Sequence, residues 1–255
     1  MRLIKTILLL LSVCLPVFVR ADITTIKFAF IGNARHDAYL GARQGLEEAN
    51  LQGRFLGLSY SMDAFSPVAL SAEKLEPYTA LLVSLDKQDL LRVMSVAGDH
   101  PVFNLVSEIN AFRCACRPHV LHIIPSKKMK QAAVALGQEK YQKELQATAW
   151  HHDFVKYAAR DLNKRFTKEF NKDMTEYAWA GWAAVKMTSD AIARGAGTEP
   201  EALLAYLRNK LSFDGQKGTD MNFDSTGQLR QLLLLTDGDE LVGEVFVEHS
   251  KPLAE

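Results

Sequence analysis

The segment IKFAFIG, Ile26–Gly32, is followed within five residues by DAYLGARQGLEEAN, residues 37–50. The first is a short apolar run that ends in glycine, as buried parallel strands often do. The second begins with Asp37, a residue type suited to capping a helix, and carries apolar residues at helical spacing. Together they predict a strand and a helix that packs back onto it, the start of a strand–helix–strand unit.

Four further strand-like runs follow in the first half of the chain. They are RFLGLSYSM (54–62), YTALLVSL (78–85), PVFNLVS (101–107) and HVLHII (119–124). Helix-like stretches such as KQDLLRVMSVAG (87–98) lie between them. Strands that alternate with helices form a parallel sheet covered by helices on both faces. The sequence therefore predicts an α/β fold with a mainly parallel sheet of about five strands, flanked by helices.

The chain changes character after Ser126, which is suited to cap a helix. From there to residue 195 the sequence indicates helices without a strand. DMTE (173–176) resembles a capping box, and TEPE (198–201) places Thr and Glu three residues apart at the start of another helix.

The last part of the chain is rich in residues that favour turns. FDGQKGTDMNFDSTGQ (213–228) is rich in Gly and Asp, which predicts successive turns around a short extended piece. LRQLLLLTDGDELVGEVFVEH (229–249) then predicts a β-hairpin that turns at Asp237–Gly238.

The first 21 residues are typical of a secretory signal peptide. MRLIK is a basic start, TILLLLSVCLPVFV is an apolar core, and Val19 and Ala21 occupy the positions that a signal peptidase reads. The apolar core is short for a membrane span, although a signal anchor is the alternative. We expect cleavage after Ala21, export to the periplasm, and one α/β domain over residues 22–255.

The composition excludes some partners and sets the redox context. Thirty basic residues balance 30 acidic ones, which gives no reason to expect nucleic acid or an anionic membrane surface as a partner. Beyond the predicted signal peptide the chain has two cysteines, Cys114 and Cys116. A bridge between them would close a very small ring, so disulfides do not build this scaffold.

Two groups of residues have the composition of metal sites, and neither pattern favours one. CACRPHVLH (114–122) offers two thiols and two imidazoles, but on a strand His119 and His122 point to opposite faces. Asp237, Asp239, Glu240 and Glu244 match no EF-hand spacing and are ordinary for an exposed hairpin turn. We therefore predict no metal and no cofactor.

The motifs of common enzymes are also absent from the sequence. It contains no G-x-S-x-G elbow, no Walker loop and no G-x-G-x-x-G. Trp150, His151 and His152 in TAWHHDF are typical of a packed helix start, and Trp179 and Trp182 of a core. The prediction is a protein that is not an enzyme.

The ordered segments resemble those of type I periplasmic binding proteins of the branched-chain amino acid type. The likeness rests on the first strand and helix, on YAWAGWAAVKMTSDAIARGAGTEPEALLAYLRN (177–209), and on FDGQKGTDMNFDSTGQLR with the closing strand–turn–strand. More narrowly, CRPHVLHIIPSKKM, TAWHHDF, LNKRFTKEFNKDMTEYAWAGWAAVKM and GQLRQLLLLTDGDELVGE resemble a branch associated with PQQ-dependent alcohol dehydrogenase systems.

This chain departs from the family in one respect. The resemblance implies two lobes, with a whole strand–helix lobe between the counterparts of IIPSKKMKQAAVA and TAWHHDF. Here only LGQEKYQKELQA (136–147) stands between them, which is too short and too charged to form a lobe. The expectation is therefore a single lobe of the periplasmic-binding-protein type.

The resemblance also implies ligand-facing positions after the strands. They correspond to Asn33, Arg35, Ser84, Asn104 and Ser107. The implied function is a substrate-binding component of an ABC uptake system linked to quinoprotein alcohol oxidation. Its partners would be the transporter's membrane components and an unknown small molecule. The alternative is an accessory protein, outside transport, that docks on the quinoprotein dehydrogenase system.

Overall fold

The structure is a computed structural model, and it describes residues 23–247. The predicted signal peptide and its cleavage site lie outside the described residues. Within residues 23–247, no helix combines the length and apolar character needed to cross a membrane.

The main sheet has five parallel strands in the order β2-β1-β3-β4-β5. The strands are β1 (Thr24–Gly32), β2 (Leu58–Phe65), β3 (Ala80–Ser84), β4 (Val102–Asn104) and β5 (Val120–His122). The helices are α1 (Asp37–Gly53), α2 (Ala72–Leu75), α3 (Lys87–Val96), α4 (Lys127–Tyr141), α5 (Ala159–Phe170), α6 (Glu176–Ala193) and α7 (Pro200–Asn209). The predicted fold class, a mainly parallel sheet flanked by helices, is confirmed.

Alternation along β1 shows how the sheet separates two apolar layers. Phe28 and Phe30 are fully buried and belong to the large core that contains α1 and α6. Ala29 and Ile31 are also fully buried, but they join a second core with residues of α3. Because successive side chains of a strand point to opposite faces, one apolar strand serves both cores.

Helices α1 and α6 cross at very close range. A Cβ placed on Gly41 would lie 1.7 Å from the carbonyl oxygen of Ala178, and one on Gly181 would lie 2.0 Å from that of Ala38. Only glycine allows two backbones to approach this closely. The crossing fixes α6, whose first turn lies at the carboxyl edge of the main sheet.

The C-terminal hairpin is confirmed and belongs to a second, antiparallel sheet. Strands β9 (Leu232–Asp237) and β10 (Glu240–Phe246) pair with each other, and β6 (Gln146–Thr148) pairs with the other side of β9. The expectation of no strand between residues 126 and 195 is wrong, because β6 lies there. A short ribbon of β7 (Asn222–Phe223) and β8 (Leu229–Arg230) precedes the hairpin.

Helix starts differ from the sequence prediction in detail. Ser126 caps α4 as predicted, since its hydroxyl accepts from the backbone N–H of Met129 at 3.0 Å. The cap of α1 is His36 rather than Asp37, and the cap of α6 is Thr175 rather than Asp173. The cap lies one residue before the predicted position in α1 and two residues after it in α6, and in both cases the capping residue has the extended backbone that a cap requires.

Two further helix starts are corrected in the same way. The cap of α7 is Glu199, without a side-chain cap hydrogen bond and with Pro200 at the first helical position. Residues 149–157 form turns and irregular backbone instead of the predicted helix start, and α5 begins at Ala159. Trp150 is nevertheless buried, and its ring stacks on Trp179 at 5.8 Å between centroids.

Candidate functional site

The carboxyl ends of β1, β3 and β4 meet at one edge of the main sheet. Strand β1 lies between β2 and β3, so β2 is added on one side of β1 and the later strands of this sheet on the other. In open α/β sheets, ligands bind in the crevice beyond the carboxyl ends at such a point. Gly32 brings two strand ends together there, because a Cβ at this residue would lie 2.6 Å from the carbonyl oxygen of Ser84. This edge is the candidate site.

A shallow depression of about 460 Å³ lies at the edge. It is lined by His36, Ser84, Leu85, Asp86, Lys87, Val106, Ser107, Glu108 and Ile109. Two of the five residues predicted from sequence, Ser84 and Ser107, are therefore brought together in it. Their contact with a ligand stays a prediction.

Ser107 has an unusual hydroxyl. The residue is 7% exposed, and its Oγ has no hydrogen-bond partner among the described residues. A buried hydroxyl without a partner costs about 1–3 kcal/mol. A ligand in the depression that bonds to this oxygen would recover that free energy.

Asn104 lies beneath the depression rather than in it. It is fully buried, and its Oδ1 accepts from the backbone N–H of Ser107 at 2.9 Å. Its Nδ2 donates to the Ser107 carbonyl oxygen at 2.8 Å and lies 2.9 Å from Nδ1 of His122. Asn104 therefore holds the loop that carries Ser107 and presents no free amide at the surface, in contrast to the ligand-facing position expected for it.

His122 completes this buried support. Because Asn104 donates to Nδ1, the proton of a neutral imidazole is on Nε2, which donates to the Phe112 carbonyl oxygen at 3.1 Å. Burial first, and the nearby Arg113 and Arg117 charges, lower the pKa of His122 to about 3, although the Phe112 contact opposes this. The ring is thus neutral at physiological pH, and it fixes Asn104 from the other side.

Asn33 and Arg35 lie beside the depression, on the loop between β1 and α1. Both are exposed, and the Asn33 side chain accepts from the backbone N–H of Arg35 at 2.9 Å. Neither residue lines the depression, so the structure does not bring Asn33 and Arg35 together with Ser84 and Ser107. They are accessible to a larger partner.

Four polar lining residues were missed by sequence reasoning: His36, Asp86, Lys87 and Glu108. Asp86 caps α3 by accepting from two backbone N–H groups. His36 is half-buried, and burial is the main cause that lowers its pKa. All four follow predicted strand ends by one to four residues, and that position is the signal that could have identified them.

Glu108 also connects the edge to two helices. Lys130 of α4 lies 2.6 Å from Glu108 and 2.7 Å from Glu176 at the start of α6. Burial alone would lower the pKa of Lys130, but the Glu176 and Glu108 carboxylates outweigh it and raise the pKa. Glu176 additionally accepts from the Thr148 hydroxyl at 3.0 Å. The network ties α4, α6 and β6 to the rim of the depression.

Arg113 holds the other end of the same loop. It donates to the carbonyl oxygens of Ser107, Ile109 and Ile124 at 2.7–2.9 Å and to Gln228 at 2.9 Å. Burial lowers its pKa to about 10, against the opposing carboxylates of Glu108 and Asp224, so it remains a cation. The loop after β4 is therefore held from both ends by buried polar side chains.

The residues considered as metal ligands do not converge on one place. Cys114 and Cys116 form a disulfide, and His122 is committed to its buried hydrogen bonds. In the hairpin, Lys143 pairs with Asp237 at 3.2 Å and with Glu240 at 3.7 Å. These carboxylates thus have a cationic side chain as their neighbour.

A different cluster has metal-ligand spacing. One ligand atom from each of His151, His152 and Asp153 lies within 4.8 Å of the others. However, His151 Nδ1 already accepts from the backbone N–H of Asp153 at 3.2 Å, and Asp153 is exposed. A metal ion would have to compete with that hydrogen bond and with water.

A wider depression, of about 700 Å³, lies at the other end of the sheet, where α3 ends and β4 begins. Its lining carries five carboxylates: Glu73, Glu76, Asp99, Glu199 and Glu201. Size alone does not identify a site, and this depression lies away from the carboxyl ends of the strands, where α/β sheets bind ligands.

Comparison with known proteins gives matches among solved structures. No protein-family model and no curated protein matches the sequence. A periplasmic binding protein from Burkholderia mallei has a TM-score of 0.68 at 10% identity, over 87% of this chain and 95% of that one. A leucine-binding protein from Thermotoga maritima gives 0.68 at 11%, over 87% and 99%. An ABC transporter substrate-binding protein from Desulfitobacterium hafniense, in complex with leucine, gives 0.69 at 15%, over 86% and 99%.

At this identity the likeness concerns the fold alone. It agrees with the architecture implied by the sequence resemblance, that of type I periplasmic binding proteins. The narrower branch, the loss of a lobe and the site residues stay predictions.

Proposed function

We propose that this chain is an exported binding protein, without enzymatic activity, that binds a small polar molecule at the carboxyl edge of its main sheet. It would act in the periplasm as the substrate-binding component of an ABC uptake system linked to PQQ-dependent alcohol oxidation. The observation that carries the proposal is Ser107, which lines the depression together with Ser84 and whose buried hydroxyl has no hydrogen-bond partner among the described residues.

The surroundings of Ser107 support recognition rather than chemistry. Asn104 and Arg113 fix its backbone from below, so the loop that carries the hydroxyl is held in place before a ligand arrives. Preorganised donors and acceptors reduce the ordering cost of binding. No residue of the depression forms a nucleophile–base pair in the described structure, and this arrangement favours binding as the function.

The neighbours in structure supply the class of ligand to test first. Two of them are a leucine-binding protein and a protein in complex with leucine. A serine hydroxyl can donate to a carboxylate or accept from an ammonium group, and an amino acid carries both. The link to alcohol oxidation and to the transporter's membrane components rests on the sequence resemblance.

The open form of the depression favours a second candidate, an accessory protein that docks on the quinoprotein dehydrogenase system. We infer that the chain has lost the facing lobe, because seven residues (142–148) separate α4 from the end of β6. A ligand on one open edge buries less of its surface than in an enclosed pocket, so its affinity would be weak. A protein could cover the same edge and reach the exposed Asn33 and Arg35.

Calorimetric titration of the purified protein against amino acids, alcohols, PQQ and metal ions separates the two functions. Binding of one small molecule that weakens at least tenfold in Ser107→Ala supports the first. Ser95→Ala is the matched control, because that exposed serine on α3 only donates to the Arg92 carbonyl oxygen. If no compound binds, and the dehydrogenase is captured from periplasmic extract by wild-type protein but not by Arg35→Ala, the accessory role is correct. Equal ligand affinity in Ser107→Ala and wild type would refute the assigned site.

A further inference from the structure

Cys114 and Cys116 form a disulfide on the loop that joins the short 3₁₀ turn Asn110–Phe112 to β5. Cys116 is exposed and Cys114 is half-buried. The bridge is therefore open to reagents from one side, at the sulfur of Cys116.

The bridge does little to hold the fold together. Its two cysteines are only two residues apart, so it restricts the unfolded chain far less than a bridge that closes a long loop. The loop is already held without it, because Arg113 makes four hydrogen bonds at the base. A disulfide that is exposed and contributes little to stability belongs to the class that exchanges with thiols.

A cation distinguishes the two sulfurs. The guanidinium Nη1 of Arg117 lies 3.3 Å from Sγ of Cys114 and 4.0 Å from Sγ of Cys116. A nearby positive charge lowers the pKa of a thiol and stabilises its thiolate. Cys114 is accordingly the better leaving group, while Cys116 is the more accessible sulfur for attack.

We propose that Cys114 and Cys116 are a redox-active pair that exchanges electrons with a dithiol, in a reaction separate from the small-molecule site. The thiolate of the dithiol attacks Sγ of Cys116, a mixed disulfide forms, and the Cys114–Cys116 bond breaks with its electron pair on Sγ of Cys114. Arg117 stabilises that thiolate. The second thiol of the partner then attacks its own sulfur in the mixed disulfide and releases Cys116.

The reaction is balanced by transfer of two electrons and two protons. The partner is oxidised from dithiol to disulfide, and the two cysteines are reduced to thiols. The reverse reaction, with a disulfide partner, restores the bridge. The natural partner is thus defined by its chemistry, as a protein with a paired, exposed dithiol.

The test uses the purified full chain under native conditions, with dithiothreitol and with glutathione as probes. Free thiols are alkylated after acid quenching and counted by mass spectrometry, while circular dichroism follows the fold. We expect complete reduction by dithiothreitol in the folded state, and a glutathione adduct predominantly on Cys116. A bridge that resists reduction until the protein is unfolded overturns the proposal, as does an adduct predominantly on Cys114.

Variants of the cation test its role. Arg117→Gln should slow reduction about threefold, because a leaving thiol of higher pKa departs more slowly. Arg117→Lys should restore most of the rate, since it keeps the charge. Arg92→Gln, at an exposed arginine on α3 that pairs with Asp89, is the control and should react as the wild type does. Equal rates in Arg117→Gln and wild type contradict the assignment of Cys114 as the stabilised leaving group.

Discussion

Acid should destabilise this protein through His122, the imidazole that supports the loop of the candidate site. Its pKa is about 3 in the folded protein, mainly because it is buried, against an ordinary value of 6.5. Between these two values the unfolded state binds more protons than the folded state. The free energy of unfolding therefore decreases as the pH falls from 6.5 towards 3, and the contribution of His122 is fully present above pH 6.5.

The size of the effect follows from the two values. At pH 5 an unfolded histidine is largely protonated while His122 remains neutral. This difference lowers the free energy of unfolding by about 2 kcal/mol relative to pH 7.5. For a domain of this size, that corresponds to a decrease in Tm of about 4–8 °C. His36, His119 and His151 also have lowered pKa values, with burial as the main cause, and act in the same direction.

The variant His122→Gln separates His122 from the other histidines. Its amide can donate to the Phe112 carbonyl oxygen as Nε2 does, but it does not titrate. Urea unfolding at pH 7.5 and pH 5 should show that wild type loses about 2 kcal/mol more than the variant on acidification. The variant should also be less stable at pH 7.5, because an acceptor for Asn104 is displaced. If both proteins lose the same free energy between the two pH values, His122 is not buried and neutral as described.

Three further perturbations have defined outcomes. Gly181→Ala should lower the free energy of unfolding by roughly 1–3 kcal/mol, because the added Cβ would lie 2.0 Å from the Ala38 carbonyl oxygen. A higher Tm in this variant would contradict the close crossing of α1 and α6. Asn104→Ala should cost about 2–3 kcal/mol, because the backbone N–H of Ser107 and Nδ1 of His122 lose their partner. The exposed control Asn33→Ala should change stability by less than about 1 kcal/mol. Equal effects in urea unfolding would refute the buried role of Asn104. Burial holds the pKa of Lys217 well below 10.5. The free energy of unfolding of the wild type should therefore rise from pH 7 to pH 9, by at most about 1.4 kcal/mol per pH unit. If the Tm of Lys217→Met rises equally over this range, burial of Lys217 is not the cause.

The sequence predicted the main sheet because each of its strands lies within an apolar run. In β3, for example, Ala80 to Val83 are completely buried, and such a run between turn residues has few other interpretations. Strand β6 was missed because only three residues pair and only Ala147 among them is buried. Strands β4 and β5 are equally short but fully buried, whereas β6 is specified by its partner β9 and leaves no apolar run of its own.

The sequence led to the edge of the sheet that carries the candidate site, but not to the places of its residues there. The rule that ligands bind at strand ends led to Ser84 and Ser107, which line the depression. The same rule led to Asn104, whose side chain bonds to His122 on the neighbouring strand. All three are small polar residues at or shortly after the end of a strand. What differed was the partner across the sheet, and the sequence does not show which strands are neighbours.

The second sheet bears on how a ligand could be bound at the carboxyl edge of the main sheet. Its apolar cluster consists of Met129, Ala133, Leu145, Ala147, Leu233, Leu235 and Val247, and these residues lie on α4, on the hairpin and around β6. So small a core cannot fold as an independent lobe, and Lys130 ties α4 to Glu108 and Glu176 at the rim of the depression. With the facing lobe lost, as we propose, closure of two lobes around a hinge is not open to this chain. Any ligand must be held by the fixed edge alone, or the edge must be covered by a second protein, and for this reason calorimetry and capture of a partner have to be carried out on the same preparation.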